Sequence, residues 1–214
     1  MSPVTDGATI GGTAVADVQA ISHCCRILGA LFYLAADDPQ LEPVLEFLRT
    51  DELAEVWPFG GDAELAGLHQ RFRLALTGRH MSETLAAERQ RLFVGPEHLE
   101  APPWGSVYLD AENCLFGPST SALTDFLAAH GVELQQGINE PCDHIGLEFM
   151  AIAQLADQHD ARAIRDFMAA HLVPWSGFYL KDLKETTLHP FFPALADLAD
   201  LTIAGLGEWS TVPV

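Results

Sequence analysis

The stretch VQAISHCCRILGALF, residues 18–32, decides how the rest of the chain is read. Its apolar positions Val18, Ile21, Cys25, Leu28 and Phe32 step by three, four, three and four, which is one face of an α-helix. Asp37-Asp38-Pro39 stops that helix and starts the next, with Asp38 read as N-cap, Pro39 as first helical residue, and Leu41, Val44, Leu45 and Leu48 as the buried stripe. The period then repeats. Asp62 caps a helix through Leu65, Leu68, Phe72 and Leu76, with Gly78 past its end, and Ser82 opens another through Leu85, Arg89 and Leu92 to Gly95. Ser119 begins a helix through Leu123, Phe126 and Leu127 that Gly131 ends, and Pro141 opens one through Ile145, Phe149, Ile152 and Leu155. Asp160 caps a helix carrying Ile164, Phe167 and Met168. His171 to Trp175 reads as a break at Pro174, followed by a short helix through Phe178 and Leu183 and a last one from near Pro190. Two segments lack the helical stripe: Pro96 to Pro118, with a short strand-like Ser106 to Leu109, and Val132 to Asn139. The fold class is all-α, a single globular domain of about ten helices with long ordered loops over 13–214, preceded by a flexible N-terminus, 1–12.

Composition narrows the function. Of 214 residues 49% are hydrophobic, enough for a good core and too many for disorder. Asp and Glu number 30 against 11 Lys and Arg, a net charge of −19. The densest basic stretch is Arg71, Arg73 and Arg79, so nucleic acid and anionic membrane are poor partners, whereas a basic partner is attracted at long range. The longest uncharged apolar run, Ile27 to Ala36, is about half of a membrane span. Met1 to Gly12 has no secretory pattern, so a soluble, cytoplasmic protein is expected. Cys24, Cys25, Cys114 and Cys142 form neither C-x-x-C nor a zinc spacing and read as free thiols.

Four constellations invite chemistry. In Glu140-Pro141-Cys142-Asp143-His144, with Glu148 one turn on, Asp143 falls in a helical first turn, facing the positive end of the dipole. The same residues could line a pocket, with Glu148 holding the His144 imidazole. A metal needs a third ligand that the sequence does not supply, so no metal and no cofactor is expected. Ala101 to Asp110 carries Trp104 between Pro102, Pro103 and Gly105, which is either a core plug or an exposed anchor for an apolar peptide. In Leu115 to Thr120, Gly117 permits a positive-φ turn before Pro118. Gly60-Gly61 beside Trp57 reads as a turn. Phosphate-cradling and nucleophile-elbow motifs are missing from the sequence, and no catalytic residue is assigned.

These motifs, in this order, resemble the TorD/DmsD redox-enzyme maturation chaperones. The resemblance rests on Pro102-Pro103-Trp104-Gly105-Ser106-Val107-Tyr108-Leu109-Asp110, Leu115-Phe116-Gly117-x-Ser119-Thr120 and Asn139-Glu140-Pro141-x-Asp143-His144-Ile145. His171-Leu172-x-Pro174-Trp175 and His189-Pro190-Phe191-Phe192 extend it, with the spacing of the DmsD branch. It is strongest from about Leu92 to Leu201. It implies an all-α cytoplasmic proofreading chaperone, not an enzyme, that binds the twin-arginine signal peptide of a molybdoenzyme subunit, dimethyl sulfoxide reductase-like, and holds back export until cofactor insertion and folding are done. The partners so implied are the signal peptide, its molybdoenzyme subunit and Tat translocase components. Carried over, the peptide-binding residues are Glu140, Pro141, Asp143, His144, Pro102, Pro103 and Trp104, with Phe93 and Gly117 at family motif positions. Glu97 and Arg89 stand where the family often has aromatics.

The residues fit such a ligand. Two guanidinium groups want carboxylates, and the candidates are Asp143, Glu140, Glu148 and Glu97. The apolar middle of a signal peptide wants walls such as Trp104, Phe93 and Tyr108. Micromolar affinity, about −8 kcal/mol, weakened by salt, is the expectation. Two rival readings remain. One is an assembly adaptor for a mature trimethylamine N-oxide or nitrate reductase-type enzyme, the other a hydrolase using Asp143, His144 and Glu148.

Overall fold

The computed structural model describes residues 17–95, 98–111, 115–135, 137 and 140–211. The flexible segment expected over 1–12, and Pro96, Glu97, Cys114 and Asn139, lie outside them. Eleven α-helices occur among the described residues: α1 (Val18–Tyr33), α2 (Leu41–Arg49), α3 (Leu53–Val56), α4 (Asp62–Ala75), α5 (Met81–Arg89), α6 (Gly105–Leu109), α7 (Pro118–Ala129), α8 (Ile145–Asp157), α9 (Ala161–Phe167), α10 (Val173–Thr186) and α11 (Phe191–Thr211). There is no strand among them, only one antiparallel bridge between Trp104 and His144. The all-α expectation holds, and the strand-like Ser106 to Leu109 is helical instead, as α6.

Helices α1 and α8 form the axis of the core. Ile21, Cys25, Leu28 and Phe32 of α1, and Ile145, Phe149, Ile152 and Leu155 of α8, are fully buried, as their period requires. The two backbones nearly touch: a Cβ on Gly29 would lie 2.9 Å from the Gly146 carbonyl oxygen, and one on Gly146 2.9 Å from that of Gly29. Only glycine allows this crossing. Phe32 extends the core, packing with Phe93, Phe149 and Tyr179. Helices α10 and α11 close the other side, with Trp175, Tyr179, Phe192 and Leu195 fully buried.

Several boundaries differ from the sequence reading. Asp38 does not cap α2; its carboxylate accepts from Gln40 N–H at 2.8 Å in a turn, and the helix starts at Leu41. Asp62 is the first residue of α4, after Gly61. Asp160 does cap α9, accepting from Ala163 N–H at 2.8 Å. The break expected at Pro174 is absent. A π-helical segment, Met168–Leu172, carries α9 straight into α10, with Pro174 in the first turn, where its missing N–H is tolerated. A second π segment, Gln90–Val94, extends α5 to Gly95. Among the described residues no helix is long and apolar enough to cross a membrane.

Candidate functional site

The segment from Pro102 to Asp110 is joined to the head of α8 by two backbone hydrogen bonds: Ile145 N–H donates to the Pro103 carbonyl and Gly105 N–H to that of Asp143, both at 2.9 Å. They fix Trp104 opposite His144. The rings lie 5.9 Å apart, edge to face, and Tyr33 also meets the imidazole edge to face, at 5.3 Å. The Trp104 indole N–H donates to Glu140 Oε1 at 2.6 Å. Trp104 and Glu140 are both half-buried, so an aromatic face and a carboxylate stand together at the surface. Burial raises the Glu140 carboxyl above its ordinary value, the indole bond opposes this, and the Asp143 charge adds to the rise.

Asp143 works differently from the sequence expectation. It precedes α8 instead of entering its first turn, because the helix starts at Ile145 and His144 is the N-cap, whose Nδ1 accepts from Gly146 N–H at 3.1 Å. The Asp143 carboxylate turns to the neighbouring helices, accepting from Ser106 N–H at 2.6 Å and from the Thr120 hydroxyl at 3.3 Å. It is 3% exposed and binds the start of α6 to α7. Asp143 is thus a positioning residue for the Trp104 segment. His144 is 4% exposed, and burial, with the Arg89 charge, drops its pKa to about 3, so it stays neutral. Glu148 does not hold His144 in place. Its Oε1 accepts from the Trp175 indole at 3.3 Å, so the three residues form no proton relay. Among the described residues no group of three His, Cys, Asp or Glu is placed to hold a metal ion.

The remaining candidates divide between surface and core. Pro102 is half-buried, Pro103 and Pro141 are buried, and Tyr108 stacks on Trp175 at 5.6 Å with its ring half-buried. Phe93 is core, packed between Phe32 and Phe192, with the Arg89 guanidinium 4.9 Å above its ring. Gly117 does not make a positive-φ turn; its φ is −80°, and Phe116 takes the left-handed conformation at φ 62°. A Cβ there would lie 2.0 Å from Asp110 Oδ2, so any other residue has to displace that carboxylate.

Residues 60–179 match the family described as nitrate reductase delta subunit. The chain is 38% identical over 189 residues to the Tat proofreading chaperone DmsD of Salmonella typhimurium, covering 88% of this chain and 90% of that protein. It belongs to the TorD/DmsD family of redox-enzyme maturation chaperones. Identity is 28% to the chaperone protein YcdY of Escherichia coli, over 87% of this chain and 94% of that one. It is 27% to the chaperone protein TorD of Shewanella pealeana, over 89% and 90%. A solved Archaeoglobus fulgidus protein, described as a redox enzyme maturation protein, shares the fold at a TM-score of 0.54 and 15% identity, over 91% of this chain and 99% of that one.

Within this TorD/DmsD-family chain the structure adds a feature that motif reading missed. A groove of about 660 Å³ runs from Glu140, Pro141 and Cys142 along Thr120, Thr124 and Leu127 of α7 to Val132 and Leu134, with Phe116 at its rim, 57% exposed. Its signal in the sequence was faint, since Leu127 read as an ordinary core position and Val132 as the start of a loop. Glu97 and Arg89, the two departures from the family pattern, have different outcomes. Glu97 lies outside the described residues. Arg89 is buried, donating to the Leu31 and Phe32 carbonyls at 2.7 and 2.9 Å and so closing the end of α1.

Proposed function

We propose that this redox-enzyme maturation chaperone is a cytoplasmic proofreading protein, folded as one domain over 13–214. It binds the twin-arginine signal peptide of a molybdenum-cofactor oxidoreductase catalytic subunit, dimethyl sulfoxide reductase-like, and delays export until cofactor and fold are in place. The observation that carries this reading is the Trp104–Glu140 pair, an aromatic platform hydrogen-bonded to a carboxylate that also lines the groove along α7. Glu140 takes a guanidinium in a charge-assisted pair, Trp104 and Pro102 take the flanking backbone, and the groove along α7 takes the apolar middle. Asp143, His144, Pro103 and Pro141 hold these surfaces in register. Each apolar side chain buried in the groove is worth about 1.5–3 kcal/mol before ordering costs. The net charge of −19 steers the basic ligand in. The chain acts by binding, without catalysis, since His144 spends its Nδ1 on Gly146 and Glu148 its Oε1 on Trp175.

The test is calorimetric titration with a twin-arginine signal peptide beside its twin-lysine counterpart. Micromolar binding, weakened about tenfold by twin lysine and by Glu140→Gln, is the expected result. Absence of binding to the peptide, with binding to the folded subunit lacking its signal, overturns the reading in favour of an assembly adaptor.

A further inference from the structure

The segment after α7 holds backbone hydrogen-bonding groups that the fold does not use. Gly131, at φ 63°, turns the chain so that Val132 N–H donates to the Leu127 carbonyl at 3.0 Å. From there Val132 to Gln135 runs without a turn or bend, and its side chains alternate: Val132 buried, Glu133 exposed, Leu134 half-buried, Gln135 exposed. Alternation with a period of two marks extended chain. Glu133 is paired as though by a neighbouring strand, its N–H donating to Gln154 Oε1 at 3.2 Å and its carbonyl accepting from Gln154 Nε2 at 2.7 Å. In an extended chain the backbone groups of successive residues point to opposite sides. Leu134 therefore presents its N–H and C=O on the side that Val132 turns to α7, and among the described residues neither has a hydrogen-bond partner. The groove of about 660 Å³ lies between this segment and α7. We propose that Leu134 pairs its backbone with one residue of the bound peptide, whose apolar stretch enters the groove as an extended strand and not as a helix. The inference rests on the peptide-binding reading above and deepens it, fixing the conformation and register of the ligand.

A helix spends its own N–H and C=O groups internally and has none to give Leu134. An extended chain offers both, one donor and one acceptor from the residue that pairs. Its side chains then alternate between solvent and the groove, where Leu127 and Val132 meet them. Charge sets the direction. Glu140 and Cys142 line the groove, and Cys142 Sγ meets the Thr124 hydroxyl at 3.4 Å and the Thr120 carbonyl at 3.7 Å, so the carboxylate end lies at the start of α7. Leu134 lies beyond the other end of that helix. The face of α7 from Thr120 to Ala128 is ~12 Å long, a span of about four residues of extended chain. With a guanidinium on Glu140, the residue that meets Leu134 is therefore about four positions further along, inside the apolar stretch. The edge is also safely short. Gln154 already occupies Glu133, so the segment offers one pairing residue and little template for edge-to-edge aggregation.

The experiment follows amide hydrogen exchange by NMR in the whole protein, free and saturated with a twin-arginine signal peptide. The Leu134 N–H is expected to exchange about tenfold more slowly in the complex, while the Glu133 N–H, already bonded to Gln154, changes less than about twofold. Peptides N-methylated at single positions of the apolar stretch complete the test. Affinity should fall about three- to tenfold at the one position that donates to Leu134 and hardly at all at its two neighbours, whose N–H groups face away. In the protein, Leu134→Pro removes the unused N–H, and the extended residue before it suits a proline. It should bind a few-fold more weakly than Leu134→Ala, which keeps the N–H, at an unchanged Tm. Peptide binding that leaves Leu134 exchange unchanged, or an N-methyl loss spread over consecutive positions as a helix requires, overturns the strand and leaves the chaperone reading intact. Protection of Leu134 that grows with protein concentration in the absence of peptide assigns the edge to a second copy and also overturns it. No binding of the peptide at all removes both.

Discussion

Replacing Gly117 with alanine tests whether this motif glycine serves a peptide or a neighbouring carboxylate. A Cβ at this position would fall 2.0 Å from Asp110 Oδ2 and 2.8 Å from its Cγ, so Asp110 must withdraw. Withdrawal breaks its hydrogen bonds from Ser119 N–H at 3.2 Å and from the Ser119 hydroxyl at 2.9 Å, which cap α7. Losing a cap costs about 0.5–2 kcal/mol, and the carboxylate also leaves the positive end of the helix. Alanine accepts φ −80° without strain, and its stiffer unfolded chain returns about 0.4–1 kcal/mol. The net expectation is a loss of about 1–2 kcal/mol, or a Tm lower by about 2–8 °C for a chain of this length. Thermal and urea unfolding of four proteins decide it: wild type, Gly117→Ala, Asp110→Ala and the double variant. In the Asp110→Ala background the clash is gone, and Gly117→Ala should be neutral or stabilising. If the glycine substitution costs the same in both backgrounds, the carboxylate is not the reason for the glycine. Peptide affinity of folded Gly117→Ala should change less than about threefold, since Gly117 acts through the start of α7.

Two pH-linked outcomes follow from buried groups elsewhere. Burial raises the Glu88 carboxyl, but Arg91, the Leu188 N–H and the Thr187 hydroxyl overcome this and bring it down to about 2. Its contribution, about 3 kcal/mol, is therefore complete above the unfolded value near 4.5 and is lost as pH falls toward 2. Glu88→Gln should lower stability at pH 7 by about 2–3 kcal/mol and flatten the acid limb of the urea midpoint; an unchanged acid limb would sink the idea. For His144 the sign is opposite in origin. The folded imidazole resists protonation down to about 3, so stability declines as pH drops below about 6.5, by about 2 kcal/mol at pH 5. The His144 ring resonances should stay fixed from pH 8 to pH 4.5, and a midpoint near 6 would contradict the buried, neutral ring.

Helices whose apolar residues recur every three or four positions were readable residue by residue. All four α8 core positions named from spacing are fully buried, and Asp160 caps α9 as its position suggests. Local rules failed where distant chain segments decide. Pro174 signals a break only if the preceding turn is α-helical, and a π segment removes the conflict. Asp143 looks like a first-turn carboxylate in its own sequence, yet its partners are Ser106 and Thr120, 37 and 23 residues away. Phe93 looks like a wall for a peptide because its motif is shared, while its neighbours Phe32 and Phe192 come from opposite ends of the chain. The motifs named residues that the fold brings together, Trp104, Glu140 and His144; which of them face outward depended on contacts that no short spacing encodes.

The Gly29–Gly146 crossing has a mechanical consequence. It lies two residues from His144 and eleven from the far end of α8, so it acts as a fulcrum placed beside the site. A tilt of about 5° about that point moves the far end by about 1.4 Å, but His144 by only about 0.3 Å, given 1.5 Å of rise per residue. Wear in the packing around α9, whether from mutation or from thermal motion, is geared down before it reaches Trp104 and Glu140. The long arm of the helix absorbs sequence drift and the short arm keeps its aim.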